Sequence, residues 1–178
     1  SDLNFPKMVN RTLAASGLAT SKLIVEFTET GIMEDMLNTM DVLTRLRLLG
    51  VGISVDDFGT GNSSLSKLQN MPFTELKIDK SFVINAIDSK DDRSICLTTI
   101  ELAHSLEMKA VAEGVECADT WDFLTSAGCD VMQGYYASRP LAPENFLPWV
   151  TDWNGAKHGW QPKFAKVLEF LHIQHETA

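Results

Sequence analysis

What this sequence lacks narrows its class before any motif is read. No apolar stretch approaches the ~20 residues that a membrane-spanning helix needs, and the first residues do not resemble a signal peptide. Basic residues never cluster: lysines and arginines stand apart, and the formal net charge is -9. That balance argues against a long nucleic-acid polymer as partner, because neutralising phosphates supplies most such affinity. Cysteine is scarce. Cys96, Cys117 and Cys129 are odd in number and lack metal-ligand spacing; they read as free thiols of a reducing compartment rather than a disulfide framework. Internal repeats, low-complexity tracts and long linkers are missing too. A cytoplasmic location is the expectation.

What is present is a regular alternation. The 178 residues suffice for one domain with a buried core. Helical patterns at 5–16, 33–49, 63–70, 92–107 and 118–127 alternate with strand-like runs at 23–29, 51–56, 75–79, 109–114 and 131–136. Gly17, Gly50 and Gly128 punctuate the helical stretches. Met36, Met40, Leu43 and Leu46 define the expected inner face of the second helix. Five strands joined by helical crossovers predict an α/β fold with parallel strands. A closed (β/α)₈ barrel needs eight strands and about 250 residues, so the expectation is an incomplete TIM-like barrel. The expected division is a partial barrel at 1–147 and a Trp-containing extension at 148–178, with a helix at 161–174.

Side chains alternate faces along a strand. Val51, Ile53 and Val55 share one face, and Gly52, Ser54 and Asp56 share the other. The same division places Glu26, Lys77, Glu113 and Gln133 late in their strands, where a barrel gathers its active site. Buried carboxylates without partners cost several kcal/mol, on the order of other buried charges. Two arrangements answer that demand. One is a divalent cation held by carboxylate oxygens; the other is a salt-bridged core, with Lys77 on Asp56 or Asp57 and the glutamates facing solvent.

Several longer motifs carry a resemblance. IVEFTET at 24–30, DDFGTG at 56–61 with SSLSKL at 63–68, ELKIDKSFV at 75–83, AHSLEMKAVAEGVE at 103–116 and GCDVMQGYYASRPL at 128–141 resemble, in order and spacing, the EAL family of cyclic di-GMP phosphodiesterases. The resemblance implies a modified TIM barrel that hydrolyses cyclic di-GMP to linear pGpG with Mg²⁺ or Mn²⁺, Ca²⁺ being inhibitory. By position it implies Glu26, Asp56, Asp57 and Glu113 as metal ligands, and Glu113, Lys77 and Asp57 as the catalytic groups. Glu29, Glu116 and Gln133 are implied as residues that orient the site or anchor its loop, with Gly59 and Gly61 in that loop. Arg139 and Pro140 are implied as substrate contacts.

Asn62 and Cys117 depart from the family pattern at positions where no metal ligand is expected. The family's E-A-L and N-L-S strands, which carry two further ligands, have no counterpart here; Asn4 aligns with the linker before the first helix and does not replace them. The expectation is therefore a phosphodiesterase or, alternatively, a non-catalytic module that binds cyclic di-GMP or a protein. An open strand edge predicts a homodimer or another partner, or coverage by the tail bearing Trp149, Trp153 and Trp160.

Overall fold

The computed structural model describes residues 3–28, 36–58 and 69–156. They comprise α1 (Phe5–Ser16), β1 (Ile24–Thr28), α2 (Met36–Leu48), β2 (Gly52–Phe58), β3 (Glu75–Ile78), α3 (Lys80–Asn85), α4 (Lys90–Ser105), β4 (Lys109–Glu113), α5 (Ala118–Ser126), β5 (Val131–Gln133) and α6 (Pro143–Ala156). The strands form one parallel sheet in the order β1-β2-β3-β4-β5. Sequential strands lie side by side and the sheet does not close, giving an incomplete TIM-like barrel plus a C-terminal helix. The chain divides into two compact units, residues 1–139 and 140–178. Most of the expected helix at 63–70, that at 161–174, Glu29, Gly59, Gly61, Asn62 and Trp160 lie outside the described residues.

Local chemistry sets most element ends. Pro6 stands in the first turn of α1, and Gly17 ends that helix in the left-handed region at φ 67°, where a residue without Cβ is unstrained. Ser89 caps α4 by accepting from the Asp92 amide at 3.2 Å, and Asp91 and Asp92 lie at the helix's positive end. Two helices were not foreseen. Asp79 ends the strand and caps α3 by accepting from the Ser81 amide at 2.9 Å. Burial opposes ionisation of Asp79, but its Ser81 hydrogen bonds and nearby Lys80 outweigh that and hold its pKa below the usual carboxylate value. In α6, Pro148 lies inside the helix and obscures its pattern in the sequence. The helix nevertheless aligns Phe146, Trp149 and Trp153, with ring centroids 6.1 and 5.8 Å apart.

The core lies between the sheet and its helices. Val51, Ile53 and Val55 are fully buried, as the face assignment requires. Among the described side chains of α2 the buried ones are Thr39, Val42, Leu43 and Leu46, while Met40 is only half-buried and the Met36 side chain lies outside the described set. The inner stripe is thus centred on Leu43 and Leu46, with Val42 rather than Met40 completing it. Leu76 and Ile78 are buried on one face of β3, and Glu75 and Lys77 on the other. Such two-sided burial marks a central parallel strand.

All three cysteines are free. Burial, with Asp92 adding, pushes the Cys96 thiol to about 11, and burial pushes Cys129 to about 12. Cys117 is exposed. Thiolate is the reactive species, so Ellman's reagent at pH 8 is expected to titrate Cys117 rapidly in the native chain. All three thiols should react in denaturant. Rapid native reaction of all three would show that the core around β4 opens readily.

Candidate functional site

Parallel strands end on a common rim, and β1, β2, β3 and β4 bring Glu26, Asp56, Lys77 and Glu113 together. Lys77 Nζ lies 2.9 Å from Glu26 Oε2, 3.1 Å from Asp56 Oδ1 and 2.5 Å from Glu113 Oε1. The lysine side chain is 4% exposed, whereas the carboxylates retain 19–25%. An ammonium has three donors, and each is directed to a different carboxylate. Neither expected arrangement describes this cluster fully: Lys77 binds Asp56, but it also takes both glutamates.

An irregularity in the sheet helps assemble it. Val55 pairs with Leu76 and Phe58 with Ile78, so Asp56 and Asp57 together face the single residue Lys77. Such a bulge is uncommon between parallel strands and re-aims the side chains beside it. The Asp57 side chain lies outside the described set. At the next strands, Glu113 pairs in register with half-buried Gln133. Gly114, at φ 72°, follows directly, and a Cβ there would stand 2.7 Å from Lys80 Cβ.

Electrostatics follow from three anions around one cation. Burial alone would lower the Lys77 pKa, but hydrogen bonds and charge from Glu113 and Glu26 overcome it and raise it. Burial raises Glu113 above its ordinary value; Lys77 opposes that shift, and Asp56 and Glu26 add to it. The cluster therefore binds its ammonium firmly while retaining excess negative charge.

The donors are hard oxygens and suit Mg²⁺ or Mn²⁺ chemically. Their arrangement does not fit such an ion, because the carboxylates converge on an ammonium. Among the described residues, no group of three His, Cys, Asp or Glu is placed to hold a metal.

Other expected residues fall around this cluster or apart from it. Glu116 is exposed. Arg139 is exposed and lays its guanidinium over the Tyr135 ring at 4.6 Å. Pro140 is exposed in the second unit. Ser54 shares the inner face of β2 with Asp56. Its hydroxyl is buried and has no hydrogen-bond partner, and it pairs in register with Glu26 and Glu75. Tyr135 was not singled out as functional; its aromatic ring followed at i+4 by an arginine was the available signal.

The EAL domain family matches residues 1–140. The cyclic di-GMP phosphodiesterase NbdA of Pseudomonas aeruginosa is 44% identical over 142 residues, covering 78% of this chain and 18% of that protein. This chain spans about a fifth of the length of the curated relatives it matches. A solved MucR phosphodiesterase in complex with c-di-GMP superposes with a TM-score of 0.76 at 40% identity, covering 80% of this chain and 58% of that one. A Klebsiella pneumoniae BlrP1 complex with manganese and cy-diGMP gives 0.68 at 32% identity, covering 75% and 34%. The ordered motifs, the parallel sheet and these matches agree: the chain belongs to the EAL domain family.

Proposed function

We propose that this chain is an EAL-type module that recognises cyclic di-GMP and, in the arrangement described, does not hydrolyse it by itself. One observation carries this reading: Glu26, Asp56 and Glu113 each commit an oxygen to Lys77. The acids that a phosphodiesterase would offer to Mg²⁺ or Mn²⁺ are held by an ammonium instead. Support for the ligand comes from related chains solved with that dinucleotide. Lys77 has no donor left for an anion, so the phosphates need another cation. Arg139 meets that need beside an aromatic face, Tyr135; a guanidinium suits phosphate oxygens and a phenol ring suits a purine. The module works in the cytoplasm, consistent with three free thiols.

A second reading is metal-dependent hydrolysis to pGpG. It is favoured by the convergence of three acids at the strand ends and by phosphodiesterases such as NbdA among the relatives. It requires Lys77 to release its partners, with Asp57 as a further candidate group.

Calorimetric titration with cyclic di-GMP in Mg²⁺ and in Ca²⁺, followed by chromatography of the mixture, separates the readings. We expect heat of binding, weakened about tenfold or more by Arg139→Ala, and no pGpG. Accumulation of pGpG in the wild type but not in Glu113→Ala would establish hydrolysis. No heat in either metal would remove the ligand and leave protein interaction. The outer edge of β1 has no paired strand among the described residues, which supports a second copy as partner. Light scattering on the same sample showing only monomer would remove that part.

A further inference from the structure

Among its described side chains α6 buries none, although it carries an apolar stripe. Phe146, Trp149, Val150 and Trp153 follow the i, i+3, i+4, i+7 spacing of one helical face and are only half-buried. Leu147, beside them, is 73% exposed. A helix of 14 residues is marginal in water alone, and packing of its apolar face normally holds it. The stripe is thus a surface for a further apolar element.

We propose that residues 161–174 supply that element: they form a second helix that folds back antiparallel along the stripe of α6 and closes a helical hairpin. These residues lie outside the described set; their sequence carries three features that fit α6. The first is spacing. Phe164, Val167, Leu168 and Leu171 repeat the i, i+3, i+4, i+7 pattern. An antiparallel pair sets Trp153 against Phe164 at one end and Phe146 against Leu171 at the other, with the intervening positions in step.

The second feature is the connection. Residues 157–160 separate the two stretches, within the about 2–5 residues that join paired antiparallel helices. Gly159 suits the turn, and Pro162 suits the first turn of a helix. So short a loop costs little entropy to close, which favours this segment over a separate chain. The third feature is charge. α6 carries Glu144 and Asp152 and no lysine or arginine, whereas 161–174 carries Lys163 and Lys166 against the one acid Glu169. A second copy of α6 or an anionic membrane would instead bring like charge to an acidic helix. Nothing in this pairing depends on cyclic di-GMP.

Hydrogen exchange read by mass spectrometry on the full chain, without nucleotide, tests the hairpin. Amides in 161–174 are expected to exchange about tenfold or more slowly than in an unstructured chain. Val150→Asp should remove protection from both 143–156 and 161–174, and Leu168→Asp should do the same. Glu169→Asn, on the opposite face, lowers helix propensity about as much as aspartate does yet should leave the protection in place. Peptides from β3 and β4 report an intact sheet and should not change; if Val150→Asp disturbs them, Leu168→Asp decides. Exchange of 161–174 at the unstructured rate in the wild type, or protection that survives Leu168→Asp, would overturn the proposal. A loss that spreads into β3 and β4 in both variants also counts against it. So does protection that vanishes on about a hundredfold dilution, which makes a second copy the occupant. Protection that appears only with phosphatidylglycerol vesicles overturns it in favour of a membrane.

Discussion

Replacing Gly134 by alanine is expected to cost more than about 3 kcal/mol in urea denaturation. The residue follows Gln133 at the end of β5, where the chain passes against the segment leaving β4. A Cβ on Gly134 would run into the backbone nitrogen, oxygen and carbonyl carbon of Val115, the last at 2.7 Å. These atoms cannot rotate aside. The Val115 amide donates to the Gln133 carbonyl at 3.1 Å, and the Tyr136 amide donates to the Val115 carbonyl at 2.9 Å. Relieving the clash therefore breaks the hydrogen bonds that tie the two strand ends together.

Gly17→Ala provides the comparison. Gly17 has φ 67° but nothing within 4 Å of its would-be Cβ, so only backbone strain of about 1–2 kcal/mol is expected. Equal losses for the two variants would show that close approach to Val115 does not decide Gly134. The effect should extend to the site, since Glu113 lies two residues before Val115 and pairs with Gln133.

An asymmetry between two members of the ion cluster is the second large effect. Lys77→Met in the absence of divalent metal is expected to lose about 3–5 kcal/mol, because it leaves three clustered carboxylates without their cation. Glu113→Gln should remain within about 1 kcal/mol of the wild type near neutral pH. It gives up the charge attraction to Lys77, whose ammonium can still donate to the amide oxygen, and it also removes repulsion with Asp56 and Glu26. Urea denaturation of both variants checks the contrast. A loss for Glu113→Gln as large as that for Lys77→Met would mean that the cluster is balanced rather than over-supplied with negative charge.

The pH dependence has a definite sign. Burial raises the Glu113 pKa in the folded state, with Lys77 opposing, so the folded chain holds its proton to higher pH than the unfolded chain. Between the ordinary value of 4.5 and the raised folded value, Glu113 contributes a fall in stability as pH rises. Glu113→Gln should remove that slope. Lys77 is raised above 10.5; its contribution is fully present below that unfolded value and is lost only as pH climbs through the folded one. A slope in the acidic window that is unchanged in Glu113→Gln would assign it to another carboxyl group.

The alternation of apolar and polar residues made much of the fold legible. Five strands, their parallel arrangement and the buried set Val51, Ile53 and Val55 follow from a period of two next to longer helical stretches. The helices α3 and α6 were hidden for different reasons. α3 has 6 residues, too few for a periodic pattern, and its signal is the Asp79 cap. α6 contains Pro148 and a tryptophan pair that read as irregular sequence. On α2, the choice of Val42 over Met40 depends on the rotation of the helix against the sheet, which spacing alone leaves open.

The sequence by itself determined family membership, the succession of strands and helices, and the presence of acids and one lysine late in successive strands. Those properties are written in residues close along the chain. Only the tertiary structure decided that Lys77 would take Glu26, Asp56 and Glu113 together, although Glu26 and Lys77 are 51 residues apart. It also decided that Asp56 and Asp57 would bulge against Lys77, that Gly134 would meet the Val115 backbone, and that Ser54 Oγ would be buried without a partner. These depend on register and distance between strands, and an alternating pattern specifies a face without specifying which atoms meet across it.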